Sequence, residues 1–289
     1  MRYCEALRSN TVICTMNIHR GDSEAVVADG DDVAPGHVAV QAADAHLAMV
    51  ERERWCCGIA ATRAEREAAF RLIYQAYVRG GLGLANAHAM RVTPYHLLPT
   101  TTIFTASALQ GPEAGEAFST VSLIEDGAFG LPLERTYPAE VEERRARGLR
   151  LAEVSCLADR RQDFRRFFPV FVALNRWMIQ FAQAQRLDQV LVAVHPKHAR
   201  FYTRHFGFEL VGGLTNYALA NNRPAVALCF NFHRNHRETS PYYNHFFADP
   251  IPSEQLQPRA MSPADVEYFG RLVDPAFTFE TESSQLVCV

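Results

Sequence analysis

From Trp55 onward, short apolar runs alternate with stretches in which apolar side chains recur three and four positions apart. Trp55-Cys56-Cys57-Gly58-Ile59-Ala60 predicts a strand. Thr62 to Glu65 predicts a capping box, and Ala69, Leu72, Ile73, Ala76 and Tyr77 carry on as a helix that Gly80 and Gly81 end. Thr100 to Leu109 and Ala117 to Glu125 are β-rich runs joined by the turn-forming segment 110–116, which together predict a hairpin. Pro138 to Arg147, closed by Gly148, predicts a short charged helix, and Leu149 to Leu157 a strand. Pro169 to Arg186 predicts a helix with Val170, Phe171, Leu174, Trp177, Met178 and Phe181 on one side. Val190 to Val194 is continuously apolar, as a central strand covered on both faces must be. Pro196 to Phe206, stopped by Gly207, predicts a further helix, and two closing strands are expected near Tyr217 to Ala220 and Ala225 to Phe230. The order β-α-β-β-α-β-α-β-α-β-β implies an α/β/α sandwich around one mixed central sheet.

The flanks differ in character. Residues 21–51 contain no Lys or Arg but carry seven acidic residues, so residues 1–52 are expected to form a disordered acidic extension. Residues 53–232 then form the folded domain. Residues 233–289 are polar and contain Pro; Ser262-Pro263 cap a last short helix through Val266, Phe269 and Leu272, expected to pack on the domain or on a partner.

Composition narrows the function. A net charge of -3 argues against nucleic-acid binding, and no run of 18 apolar residues predicts a transmembrane helix. The first residues lack a positive-then-apolar signal pattern. Seven cysteines, an odd count without a CxxC pair, fit a reducing cytoplasm without structural zinc. His195/His198 and His233/His236 are HxxH pairs, but no Cys or carboxylate cluster completes a metal site. Hydrolase, ATPase and dehydrogenase glycine motifs are absent.

The strand Leu149 to Leu157 carries the first chemical signal. Period-two alternation puts Leu149, Leu151, Glu153, Ser155 and Leu157 on one face, and a carboxylate on an apolar face is costly unless paired or used. The second signal is the block His195-Pro196-Lys197-His198-Ala199-Arg200-Phe201-Tyr202-Thr203-Arg204-His205-Phe206-Gly207-Phe208. It resembles the fifth strand and fourth helix of the GCN5-related acetyltransferase superfamily, in which a helix Tyr often protonates the departing thiolate. The resemblance puts that role on Tyr202.

That superfamily usually binds the diphosphate of coenzyme A in a Gly-rich turn at a helix N-terminus. The corresponding turn here, residues 158–166, has no glycine and four arginines. A donor whose phosphopantetheine hangs from a protein needs less of such a cradle. Glu153 with Ser155 resembles the Glu-x-Ser element of the acyl-homoserine-lactone synthases. That element continues with Arg where Cys156 stands here, and Ser122 replaces the basic residue expected on the preceding strand, which argues against a homoserine-lactone product. Over roughly Ile59 to Phe230 the chain resembles the long-chain N-acyl amino acid synthases, a sibling family of those lactone synthases. The similarity rests on the blocks Arg91 to Thr101, Phe129 to Glu134, Ala152 to Ser155, His195 to Phe208 and Asn222 to Leu228.

The resemblance implies transfer of an acyl group from acyl carrier protein to an amino acid's α-amine. The ammonium needs a base, for which Glu153, directly or through a water, is the candidate and His96 the reserve. Arg91 is the candidate for gripping the carboxylate. Backbone amides after Ser155 and at Cys156 are the candidate oxyanion donors. Phe104, Phe118, Phe129, Phe171 and Trp177 are candidate walls for the acyl chain. Arg144, Arg145, Arg160, Arg161, Arg165 and Arg166 form an expected basic patch for the acidic carrier protein. No permanently bound cofactor is expected; the donor is acyl-phosphopantetheine on the carrier or acyl-CoA. Two alternatives stay open at this point: a CoA-dependent N-acetyltransferase of a small amine, and a non-catalytic acyl-carrier-binding module.

Overall fold

The computed structural model describes residues 55–161, 163–234, 240–274 and 277. The expected acidic extension, residues 1–52, lies outside the described residues, as does His236 of the second HxxH pair.

Seven strands form one mixed sheet in the order β1-β2-β3-β4-β5-β7-β6. They are β1 (Trp55–Ile59), β2 (Thr101–Ala108), β3 (Ala117–Glu125), β4 (Leu151–Asp159), β5 (Gln189–Val194), β6 (Glu209–Tyr217) and β7 (Arg223–Asn231). Only β4 and β5 pair in parallel. One face is covered by α3 (Phe164–Ala184), α4 (Pro196–Phe206) and α5 (Tyr243–Phe247), and the other by α1 (Arg63–Arg79), α2 (Pro138–Ala146) and α6 (Pro263–Gly270). The chain is thus an α/β/α sandwich with one apolar core on each side of the sheet.

Local chemistry sets the element ends. The capping box at α1 forms: Glu65 N–H donates to the Thr62 hydroxyl, and Thr62 N–H to the Glu65 carboxylate at 2.8 Å. Gly207, at φ 73°, ends α4 in the left-handed conformation.

Three expectations are corrected. Helix α3 begins at Phe164 rather than Pro169, because the Asp163 carboxylate caps it by accepting from Arg165 N–H at 2.8 Å. Strand β6 ends at Tyr217 rather than starting near it, and Ala218–Ala220 form a 3₁₀ turn. Gly212 and Gly213 hide this strand from pattern reading. A Cβ on Gly212 would lie 2.5 Å from the Tyr137 ring, so the strand needs glycine for that close approach. Finally, β4 does not alternate throughout. Thr120 pairs with Ala158 and Ser122 with Ser155, so a step of two on β3 meets a step of three on β4. The extra residue is taken up where Cys156 adopts φ 55°. Leu157 therefore packs in the α3–α4 core, while Cys156 joins Leu151 in the α1 core.

The C-terminal segment wraps the domain. Tyr242 and Phe246 are buried beside α3 and α4, with the Gln180 amide donating to the Phe246 carbonyl at 2.7 Å. The segment then reaches the opposite face, where buried Arg66 donates to the Arg259 carbonyl at 2.7 Å and Phe269 packs edge-on against Phe70. It continues through a bridge between Val273 and Val92.

Candidate active site

The sheet opens at its centre. Pairing between β4 and β5 ends at Glu153↔Leu191, although β4 runs on to Asp159 and β5 to Val194. Beyond that point the β4 bulge sits between two small cavities, one on each face of the sheet.

The first cavity, about 20 Å³, lies on the α1 face. Tyr77, Arg91, Thr93, Tyr95, Ile124, Pro132, Ser155, Cys156, Tyr217, Leu219 and Phe277 line it. Arg91 is 5% exposed. Its guanidinium donates to the Asp274 carboxylate at 2.7 Å and to the Leu219 carbonyl at 3.2 Å, and lies over the rings of Tyr77 and Phe277. Its Nε is buried with no hydrogen-bond partner. The Tyr77 hydroxyl reaches the Cys156 sulfur at 3.9 Å, and burial raises that thiol's pKa.

Glu153 stands behind this wall, 1% exposed. One carboxylate oxygen accepts the Leu133 N–H at 2.6 Å and the other the Tyr217 hydroxyl at 3.1 Å. Burial pushes its pKa up to about 8, against the opposing pull of these two donors. Tyr217, also buried, has its phenol pKa raised well above 10 by desolvation and by the Glu153 charge.

The second cavity, about 10 Å³, lies on the opposite face and is lined by Val121, Val154, Leu157, Phe171, Asn175, Val192, Tyr202 and Phe208. Its wall is apolar apart from Asn175 and the phenol of Tyr202, which α4 holds among Phe171, Phe206 and Phe208. Ser155 and Tyr202 thus belong to two chambers separated by the thickness of β4.

The remaining expected residues lie elsewhere. His96 is buried in the 3₁₀ turn Pro94–Leu97, where its Nδ1 accepts the Thr93 N–H at 3.0 Å. Its Nε2 is 3.3 Å from the Ser122 hydroxyl, and burial lowers its pKa to about 3, so it is neutral and held in the turn. Phe104 is a core residue, edge-on to Phe181 at 5.5 Å. Phe118 lies beneath the Arg161 guanidinium, and Trp177 packs half-buried against the α3–α4 core. Phe129 lines a separate open cleft of about 670 Å³ with Asp126, Glu134 and Arg145. Of the expected acyl walls, Phe171 alone lines the Tyr202 cavity.

The six arginines do not form one patch. Arg144 is buried on Gln189, and Arg145 is bound bidentately by Asp126 and by Glu134, both near the start of β4. Arg160 and Arg161 follow the far end of β4, roughly 26 Å away at the rise of an extended strand. There Arg160 pairs with Glu113 and Glu116, and Arg161 with Asp159. Arg165 and Arg166 are exposed on the adjoining first turn of α3. The turn between β4 and α3 is occupied by the chain's own carboxylates: Asp159 accepts Arg161 N–H at 2.7 Å, and Asp163 caps α3.

The sequence reading missed Tyr217, Tyr77, Asp274 and Phe277. Tyr217 was legible only as a strand residue, and Asp274 lies 183 positions from Arg91. Among the described residues no group of three or more His, Cys, Asp or Glu is placed to hold a metal, and no helix is long and apolar enough to cross a membrane.

The fold and the sequence both have counterparts among known proteins. Over 65% of its length the chain superposes on FeeM, an N-acyl amino acid synthase from uncultured soil microbes, covering 95% of that structure with a TM-score of 0.55 and 27% identity. It covers 98% of the AHL synthase LasI with 69% of its own length, a TM-score of 0.53 and 14% identity, a likeness of fold. No curated protein matches the sequence. Residues 68–231, more than half of the 289 residues, match the sequence profile described as N-acyl amino acid synthase FeeM. On that match the chain belongs to the FeeM family of N-acyl amino acid synthases and is an N-acyltransferase.

Proposed function

We propose that this enzyme moves a long-chain acyl group from acyl carrier protein to the α-amine of an amino acid, and that residues 53–232 carry the chemistry. The observation that supports this best is the pair of chambers back to back across β4, one holding the Arg91 cation and backed by Glu153, the other apolar and holding Tyr202. The amino acid enters the first, with its carboxylate on Arg91. The acyl thioester enters the second, whose apolar wall suits a hydrocarbon chain at about 0.8 kcal/mol per buried methylene. Both cavities are small, so the substrates must part the packed side chains.

Glu153, with a pKa near 8, is matched to take a proton from an ammonium group at neutral to mildly alkaline pH. The free amine attacks the thioester carbon. Amides at the β4 bulge, beside the gap between β4 and β5, stabilise the oxyanion. Collapse expels the pantetheine thiolate, which takes its proton from Tyr202; the product nitrogen releases its second proton to solvent, and solvent returns one to the Tyr202 phenolate. His96, neutral and fixed in its turn, serves as a keystone there rather than as the base.

A carrier-protein donor is favoured over coenzyme A because Asp159 and Asp163 already engage amides of the turn that a diphosphate would need. Arg160, Arg161, Arg165 and Arg166 rim that end of β4 and form the docking surface; Arg144 and Arg145 belong to the scaffold.

Mass spectrometry of lipid extracts from cells expressing the wild type or Glu153→Gln tests the proposal. N-acyl amino acids with long chains in the wild-type extract alone are expected, and they identify the acceptor. Their absence from both extracts, with carrier protein co-expressed and both proteins folded, overturns the proposal.

A further inference from the structure

Glu153 does not line the acceptor cavity. Tyr217 does, and its hydroxyl donates to the Glu153 carboxylate at 3.1 Å. The other carboxylate oxygen is taken by the Leu133 amide at 2.6 Å. A proton leaving the cavity for Glu153 therefore meets the Tyr217 oxygen first.

The β6–β7 turn fixes this geometry. Tyr217 pairs with Arg223 at the end of the hairpin, and Asn221 and Asn222 turn the chain at φ 54° and 55°. Within the same turn the Leu219 carbonyl accepts from Arg91. One short turn thus aims a phenol at the base and a carbonyl at the cation, setting the spacing between an amino acid's amine and its carboxylate.

We infer that Tyr217 is a catalytic residue, the group that touches the acceptor amine and relays its proton to Glu153. In the step, the ammonium N–H bond breaks as its proton moves to the phenol oxygen. The original phenol O–H bond breaks as that proton moves to the Glu153 carboxylate. Tyr217 ends neutral, Glu153 ends protonated, and the nitrogen lone pair is freed to attack the thioester. Because its phenol pKa lies far above neutrality, Tyr217 holds its proton between turnovers. This inference rests on Glu153 being the base in acyl transfer.

The test is steady-state kinetics of the full chain with dodecanoyl carrier protein and the amino acid found in wild-type extracts. Tyr217→Phe is expected to lower kcat by about 100-fold, the lower range for losing acid–base catalysis, with the amino acid KM within about threefold. In mixed light and heavy water the wild type should give a curved proton inventory, as two protons move together. A kcat for Tyr217→Phe within about threefold of wild type overturns the relay while leaving the acyl transfer intact, and means that Glu153 acts directly or through water. A linear inventory in the wild type overturns it too, without needing the variant to fold. A wild type that makes no N-acyl amino acid overturns the acyl-transfer reading itself, and the relay with it.

Discussion

The carboxylate of Glu153 is held between two donors on opposite sides, the Leu133 amide at 2.6 Å and the Tyr217 hydroxyl at 3.1 Å, with no cation in the pair. Two neutral donors do not offset full burial, so its pKa rises to about 8. A base must be deprotonated to act. Activity is therefore expected to climb with pH through about 8, and Glu153→Gln should abolish that limb of the kcat/KM profile. Stability moves the other way. The folded value lies above the ordinary 4.5, so Glu153 contributes its full stabilisation below about 4.5 and loses it as pH rises through about 8. Glu153→Gln should accordingly lose less melting temperature than the wild type between pH 5 and 8.5, read by calorimetry.

Arg91 shares its charge with Asp274 in the cavity where an amino acid's carboxylate is expected to bind. Asp274→Asn should lower the amino acid KM several-fold, because an internal competitor for the guanidinium is gone. It should also cost about 3–5 kcal/mol of stability, since a buried charge loses its partner. Arg91→Ala should raise the same KM by about tenfold or more and leave the donor KM unchanged. Substrate titrations and thermal melts of both variants separate the two effects.

The arginines split into two groups with different expected behaviour. Arg165→Glu should raise the carrier-protein KM about five- to tenfold at low salt, and the difference should fade near 0.5 M salt as screening takes over. Arg145→Glu places a like charge against Asp126 and Glu134, so it should lower the melting temperature with little effect on the donor KM of the folded fraction.

Cys156 sits at φ 55°, which a β-branched side chain tolerates poorly. Cys156→Val should cost about 1–3 kcal/mol and depress kcat, because realigning the bulge turns Ser155 and Leu157 away from their cavities. Cys156→Gly should keep the bulge and most of the activity. Unfolding curves beside turnover numbers are the measurements.

Much of the fold is legible in the sequence because each element carries its own punctuation: Thr62 and Glu65, Gly148, Pro196 and Gly207 mark ends that the structure uses. Glu153 is legible for a related reason, since a charge on an apolar strand stands out locally. The bulge is not, because alternation is assumed until a backbone angle breaks it, and its effect is to send Leu157 to the opposite core. The basic patch misleads because Arg145 and Arg160 are near in sequence, yet β4 stands between them at full length. Tyr217 and Asp274 are invisible as site residues because pairing across the β6–β7 turn and a wrap of the C-terminal segment bring them in, and neither leaves a short-range pattern.

The wrap also orders the enzyme's synthesis. Arg91 is made 183 residues before Asp274, an interval of roughly 10–40 s at ordinary translation rates. During that interval the sheet through β7 can be complete, while a buried guanidinium waits for its carboxylate and the acceptor cavity lacks the wall that Phe277 supplies. A nascent chain stalled after β7 would thus carry a finished donor chamber beside an open acceptor chamber. On the proposed assignment, the acceptor site is completed later in synthesis than the lining of the donor chamber.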